Sequence, residues 1–82
     1  MAKLRRLTGR EVIQILQDLG YEIIRIKGSH YRLRLQLEET TCYTTVPVHG
    51  SSPLATGTLR AIYRQVVACL DEDIVHPHFY AE

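Results

Sequence analysis

The fold of this chain depends on one stretch, YEIIRIKGSHYRLRLQL, which covers residues 21–37. Apolar and polar side chains alternate along most of it, as they do in strands that bury one face of a sheet. Gly28-Ser29 interrupts the alternation, and this pair suits the centre of a type II′ turn because glycine readily adopts the positive φ required at the first position. The stretch therefore predicts a β-hairpin that turns at residues 28–29.

The turn determines which residues face each other across the hairpin. With Gly28 and Ser29 at its centre, Lys27 pairs with His30, and the pairs continue outwards as far as Ile23 with Arg34. One face of the hairpin is then apolar and consists of Ile24, Ile26, Tyr31, Leu33 and Leu35. The other face is basic and consists of Arg25, Lys27, His30, Arg32 and Arg34. Ile23 is the one apolar residue that this register places on the basic face, whereas a shift by one residue would mix the two sets throughout.

Helices are predicted before and after the sheet. Thr8-Gly9-Arg10-Glu11 has the pattern of a capping box, and apolar residues recur at helical spacing up to Gly20, which predicts a helix over about residues 9–19. Residues 42–48 are rich in Thr, Tyr and Val and predict a third strand. Thr56 is placed to cap a second helix that ends near Asp71. The order α-β-β-β-α predicts an α+β fold, with a three-stranded antiparallel sheet and two helices on one of its faces.

Charge is distributed unevenly along the chain. Ten Lys and Arg against nine Asp and Glu give a formal net charge of +1, but residues 71–82 hold four of the acids and none of the cations. We therefore predict a basic domain at residues 1–71 and a loosely held acidic C-terminal tail at residues 72–82. A basic domain is compatible with an anionic partner, and a surface kept charged for solubility would explain it equally well.

The two cysteines, Cys42 and Cys69, have no close spacing of the kind found in zinc sites or disulfide-rich scaffolds. We expect reduced thiols, with Cys42 as a buried structural residue. The longest apolar run, residues 66–70, is far shorter than the roughly 20 residues of a membrane span, and the charged start of the chain does not resemble a signal peptide. We predict a cytoplasmic protein without membrane association, and we expect no metal site and no cofactor.

The basic face of the hairpin gathers four cations around His30. Arg25 opposite Arg32 brings like charges together, which destabilises a strand pair unless an anion lies between them. RNA phosphate is such an anion, and an imidazole exchanges protons near neutral pH. Tyr43 on the third strand could stack on a base if it faces outward. A solvated basic face that discourages aggregation explains the same pattern, and the spacing does not decide between the two interpretations.

Four segments of the chain carry a family resemblance, and they are Leu19–Tyr21, Arg25–His30, Thr45–His49 and Gly57–Ile62. Together they resemble the HicA-type (YcfA-like) toxins of HicA–HicB toxin–antitoxin pairs, over about residues 8–70. The resemblance implies a double-stranded-RNA-binding-domain-like fold. It also implies an mRNA endoribonuclease that needs no metal and is inhibited by a HicB-type antitoxin.

In that family the catalytic residue is the histidine that follows Gly-Ser on the second strand, and His30 occupies this position. The hypothesis is that His30 takes a proton from a ribose 2′-OH, which then attacks the adjacent phosphorus. The residues predicted to bind RNA are Arg25, Lys27, Ser29, Arg32 and Arg34. His49 matches a recurrent position of the family and is expected to contact RNA or to have a structural role. Tyr31 departs from the pattern, because many relatives carry a second histidine there.

Two other functions fit the same residues. The domain could bind RNA without cleaving it, with His30 as one more polar contact. It could also be an interaction module whose basic face binds an acidic antitoxin. Cleavage of RNA that is lost with His30 would separate the enzyme from both.

Overall fold

Eight elements follow one another in the computed structural model, which describes residues 1–82. They are β1 (Lys3–Leu4), α1 (Gly9–Asp18), β2 (Glu22–Lys27), β3 (His30–Gln36), β4 (Thr41–Pro47), α2 (Thr56–Val67), α3 (Glu72–Phe79) and β5 (Tyr80–Ala81). The order β2-β3-β4 forms an antiparallel sheet, and β1 pairs with β5 in a separate two-stranded sheet. The predicted α+β fold with a three-stranded antiparallel sheet is confirmed. None of the helices has the length and apolar character needed to cross a membrane.

The start of α1 is held at the end of β4. The predicted capping box is present, because the Glu11 amide donates to the Thr8 hydroxyl (3.2 Å) and the Thr8 amide donates to the Glu11 carboxylate (2.9 Å). These hydrogen bonds lower the pKa of Glu11. Gly9 packs so tightly that a Cβ at this position would lie 2.3 Å from the Pro47 carbonyl oxygen. Only glycine fits there, so α1 begins in direct contact with the last residue of β4.

The hairpin has its predicted turn, and its predicted register holds for three pairs. Gly28 has a φ of 58° and Ser29 has no positive φ, as a type II′ turn requires. Lys27 pairs with His30, Ile26 with Tyr31, and Arg25 with Arg32. A bulge at Ile24 then shifts the register, so that Ile23 pairs with Leu33 and Glu22 with Arg34. The predicted pairing of Ile23 with Arg34 is therefore wrong, and so is the placement of Ile23 on the basic face.

The bulge has a physical reason in the core. The extra residue turns the half-buried Ile23 towards the core and leaves Ile24 39% exposed. The helices α1 and α2 pack on the core side of the sheet. The buried cluster between them and the sheet includes Val12, Leu16, Leu33, Val46, Leu59 and Val66. Two helices on one face are thus confirmed. The cover does not extend to the turn end of the hairpin, because Ile26 is 56% exposed although we predicted it on the apolar face.

Residues 72–82 are not a loosely held tail, and this expectation is wrong. Asp71 caps α3, whose Val75 and Phe79 are completely buried, and β5 then pairs with β1. The Tyr63 hydroxyl of α2 donates to the Glu72 carboxylate (2.6 Å), and burial together with this bond raises the pKa of Tyr63. The acidic composition of residues 72–82 is typical of a tail, but the segment contains a helix whose buried apolar residues lie one turn apart. The boundary at residue 71 stays a prediction about domain organisation.

The expectation of reduced thiols is also wrong in this structure. Cys42 and Cys69 form a disulfide, with Cα atoms 6.6 Å apart and a sequence separation of 27. Cys42 points into the core from β4, as predicted for a buried residue, and Cys69 follows the end of α2. The packing of α2 on β4 brings the two cysteines together. Their spacing in the sequence does not predict this pairing.

Candidate functional site

The surface of the sheet opposite the helices is formed by three cross-strand rows of side chains, and we call it the open face. The hairpin row is Lys27, His30 and Pro47; the middle row is Arg25, Arg32 and Thr45; the far row is Glu22, Arg34 and Tyr43. Residues paired directly across strands point to the same side of a sheet, so these nine side chains share one face. The burial pattern agrees, because the intervening residues of β3 and β4 point into the core.

His30 lies on the open face together with the four cations, as the sequence predicted. Its side chain is exposed, and its neighbours in the row are Lys27 on one side and Pro47 on the other. Direct cross-strand neighbours have Cβ atoms about 5 Å apart, and alternate residues along a strand are about 7 Å apart. A phosphodiester group beside His30 is therefore within side-chain reach of the backbone positions of Lys27 and Arg32.

Ser29 lies in the turn outside the three rows. It is half-buried, and its backbone carbonyl accepts a hydrogen bond from the Val48 amide (2.7 Å). This bond joins the hairpin turn to the chain that leaves β4. The exposed His49 follows directly, so it sits in a loop beside the hairpin row.

Arg34 has a carboxylate partner, which the sequence did not predict. Its guanidinium forms an ion pair with Glu22 in the far row, and the Nε atom lies 3.1 Å from the carboxylate oxygen. The hydrogen bonds and the charge of Glu22 raise the pKa of Arg34. Glu22 reaches this position only because of the bulge at Ile24, since the regular register would place Ile23 there. The far row is consequently close to neutral.

Arg32 leans towards β4. Its guanidinium carbon lies 4.7 Å from the centre of the Tyr43 ring, and an NH group approaches the Thr45 hydroxyl at 3.5 Å. A guanidinium over an aromatic face is held by a cation–π attraction. The stack orients Arg32 towards β4 without an anion between it and Arg25. Tyr43 faces outward and is 45% exposed, as base stacking would require.

Arg25, Lys27 and Arg32 have no carboxylate partner. The ion pairs of the chain are Arg34 with Glu22 and the N-terminal amine with Glu82. The hairpin and middle rows therefore carry three uncompensated positive charges beside an exposed imidazole. Such a surface attracts anions, and its arginine donors match phosphate oxygens.

Side chains that could bind a metal ion do not cluster anywhere in the molecule. No group of three or more His, Cys, Asp or Glu residues has an arrangement that could hold a metal ion. A mechanism without metal stays a prediction, which cleavage of RNA in the presence of EDTA would test.

Comparison with protein families tests the resemblance seen in the sequence. A family model described as the HicA toxin of bacterial toxin–antitoxin systems matches residues 9–66, which is more than half of the chain. The chain belongs to the HicA toxin family. The matched span runs from the first residue of α1 into the last turn of α2, so it contains the whole open face. Membership implies an antitoxin partner. Searches of the curated proteins and of the solved structures found no significant match.

Proposed function

We propose that this HicA toxin is an mRNA endoribonuclease of a type II toxin–antitoxin system, with its active site at the hairpin end of the open face. The observation that carries the proposal is the exposed His30 between Lys27 and Pro47, beside three cations without carboxylate partners. A single-stranded RNA chain lying across the open face would bring a ribose and its 3′ phosphate to this row. HicB is the proposed antitoxin.

The reaction needs one proton acceptor. The neutral imidazole of His30 accepts the proton of a ribose 2′-OH, and the 2′ oxygen attacks the adjacent phosphorus in line with the bond to the 5′ oxygen. That bond breaks with its electron pair on the 5′ oxygen, which takes a proton from the imidazolium or from water. The products are a 2′,3′-cyclic phosphate and a 5′-OH. General base catalysis of this kind contributes about 10²- to 10⁴-fold in rate.

The cations supply the second contribution. Negative charge grows on the non-bridging phosphate oxygens during the attack, and donors placed in advance stabilise it. Lys27 is the direct neighbour of His30, and Arg32 is already oriented by Tyr43 and Thr45. Arg25 adds charge from the middle row. Arg34 would bind a more distant phosphate, and to do so it would have to share its guanidinium with Glu22.

Tyr43 offers a contact for a base. Base stacking on an aromatic side chain is worth about 1–3 kcal/mol and tolerates many sequences. The Arg32 guanidinium lies over one face of this ring, so a base would stack on the other face of the ring or on the guanidinium plane itself. The arrangement supports binding of RNA with little preference for sequence at this position.

The proposed antitoxin would meet the same charges. An inhibitor that covers His30 must contact Arg25, Lys27 and Arg32, and acidic groups on its surface would complement them. Inhibition and substrate binding would then compete for one surface. A complex that leaves His30 accessible to RNA would contradict this mode of inhibition.

The test is cleavage of single-stranded RNA by the purified chain in the presence of EDTA. We expect cutting by the wild type, and a 2′,3′-cyclic phosphate detected by mass spectrometry. His30→Ala should abolish cutting while its thermal unfolding stays unchanged. His78→Ala, in α3 and away from the open face, is the matched histidine control. DNA of the same sequence should survive because it lacks the 2′-OH.

Cutting by His30→Ala, or cutting that needs an added metal ion, would refute the mechanism. Binding of RNA without cutting would favour a non-catalytic RNA-binding domain.

A further inference from the structure

A second basic site lies outside the open face. The N-terminal segment and residues 53–60 enclose a groove of about 540 Å³. Its apolar lining includes Leu4, Leu54 and Leu59, and its charged lining consists of Arg5, Arg6 and Arg60. We call this cavity the arginine groove. No acidic side chain lines it.

The charge of the groove follows from the two parts of the chain that form it. Residues 1–10 and residues 40–70 contain no Asp or Glu at all. Arg6 and Arg60 take part in none of the ion pairs of the chain. Arg5 donates to the His78 carbonyl oxygen (2.8 Å), and its charge adds to the Thr8 hydrogen bonds that lower the pKa of Glu11. Two of the three guanidinium groups are therefore free to bind an anion.

Contacts between backbone segments place the groove near the hairpin end of the open face. The Ser29 carbonyl binds the Val48 amide, and Gly9 packs against the Pro47 carbonyl. Thr8, next to Gly9, then forms a bridge with Pro53, which lines the groove. The loop between them, residues 49–52, is exposed and carries no acid. A polyanion that leaves the hairpin row on this side reaches the arginine groove without passing an acidic residue of that loop.

We propose that the arginine groove binds phosphates of the RNA segment that extends beyond the cleaved bond. The proposal rests on the proposed function of the open face and adds a second contact region for the same substrate. The planar guanidinium matches two phosphate oxygens at once, and the leucine lining accommodates the apolar faces of a ribose or base. An acidic segment of a protein partner is the competing occupant, and the experiment separates the two.

The experiment measures RNA affinity in the full chain carrying His30→Ala, so that the substrate stays intact. The groove variant adds Arg6→Gln and Arg60→Gln. The control variant adds Arg10→Gln and Arg64→Gln, which remove the same charge from exposed positions outside the groove. Each is titrated with a tetranucleotide that fills only the open face and with a dodecanucleotide that extends beyond it, over a range of salt concentrations.

The groove variant should bind the dodecanucleotide on the order of tenfold more weakly than the control variant does, and the salt dependence should fall by roughly 0.7 in log–log slope for each lost phosphate contact. Affinity for the tetranucleotide should be equal in the two variants. Equal losses with the long RNA would overturn the proposal, since they show only the effect of net charge. Unchanged RNA affinity with weakened binding of the purified antitoxin would also overturn it and assign the groove to the protein partner.

Failure of this inference and failure of the proposed function give different results. Cleavage of the tetranucleotide by the wild type depends only on the open face. If the wild type cuts it and the groove variant binds long RNA like the control, only the groove proposal is wrong. If the wild type does not cut but the groove variant alone loses affinity for long RNA, the groove stands and the catalytic mechanism is wrong. If neither the His30→Ala chain nor the groove variant binds RNA, the groove proposal and the proposed function are both wrong.

Discussion

Both ends of the open face carry cationic side chains, but only the far end also carries a carboxylate that pairs with its cation. At the hairpin end Arg25, Lys27 and Arg32 have no carboxylate partner, whereas at the far end Glu22 neutralises Arg34. The far end also lies beside Cys42, whose disulfide joins β4 to the end of α2. At the far end the charged groups are paired with each other, whereas at the hairpin end the positive charges are available to a ligand. The comparison teaches that the number of cations on a strand does not show how many can bind a ligand.

The largest expected effect concerns the two arginines of β3. Arg32→Gln should lower the rate of RNA cleavage about 10²- to 10³-fold, as removal of one preorganised donor does in other sites. Arg34→Gln should lower it less than tenfold, because its guanidinium is already bound to Glu22. Single-turnover cleavage at saturating protein measures both. Equal losses would show that the two ends of the open face contribute alike and that pairing with Glu22 does not matter.

The second effect concerns stability at the far end. Reduction of the Cys42–Cys69 bond should lower the free energy of unfolding by about 3–4 kcal/mol, because it releases a closed loop of nearly thirty residues in the unfolded chain. Urea unfolding with and without dithiothreitol measures the change. The variant Cys42→Ala/Cys69→Ala is the control, since dithiothreitol should not affect it. Cleavage at low temperature should change little, because the disulfide does not touch the hairpin row.

The third effect concerns the junction of α1 with the hairpin end. Gly9→Ala should destabilise the protein by about 1–3 kcal/mol, because the new Cβ would collide with the Pro47 carbonyl oxygen. Gly57→Ala is the matched control: nothing lies within 4 Å of a Cβ at this helical position, so stability should be unchanged or rise by up to about 1 kcal/mol. Thermal unfolding compares the two. Tolerance of Gly9→Ala would show that the junction is not tightly packed.

The smallest effect concerns the carboxylate of the far row. Glu22→Gln should free Arg34 and make the far row resemble the hairpin end. Binding of RNA to His30→Ala should then gain about one phosphate contact, seen as a salt-dependence slope steeper by roughly 0.7. Glu38→Gln removes an exposed carboxylate in the loop after β3 and serves as the charge control. An identical change in slope for both variants would mean that the ion pair does not restrain Arg34.

Local signals predicted much of the fold and most of the candidate site. The capping box at Thr8 and the turn at Gly28 act within a few residues, and both are present as expected. The predicted cap at Thr56 is wrong, because α2 begins at this residue and Ala55 precedes it without a side-chain hydrogen bond. The exposure of His30 and its position beside Lys27 followed from the turn alone. Arg34 was placed on the correct face, but its pairing with Glu22 was missed.

The amino-acid sequence is sufficient for the properties that depend on neighbours along the chain. A glycine that tolerates positive φ sets the hairpin turn, and strict alternation after it places His30 and Arg32 on one side. The motifs around these residues were also enough to recognise the HicA family, which the match to residues 9–66 confirms.

Which of these charged groups lack a carboxylate partner depends on contacts in the folded chain. The bulge at Ile24 arises because Ile23 is drawn towards the core, and it brings Glu22 opposite Arg34. The Cys42–Cys69 bond and the burial of Val75 likewise depend on α2 and α3 meeting partners far away in sequence. Periodicity shows which side of an element is buried but not which distant residues it meets, so these pairings could be found only in the folded chain.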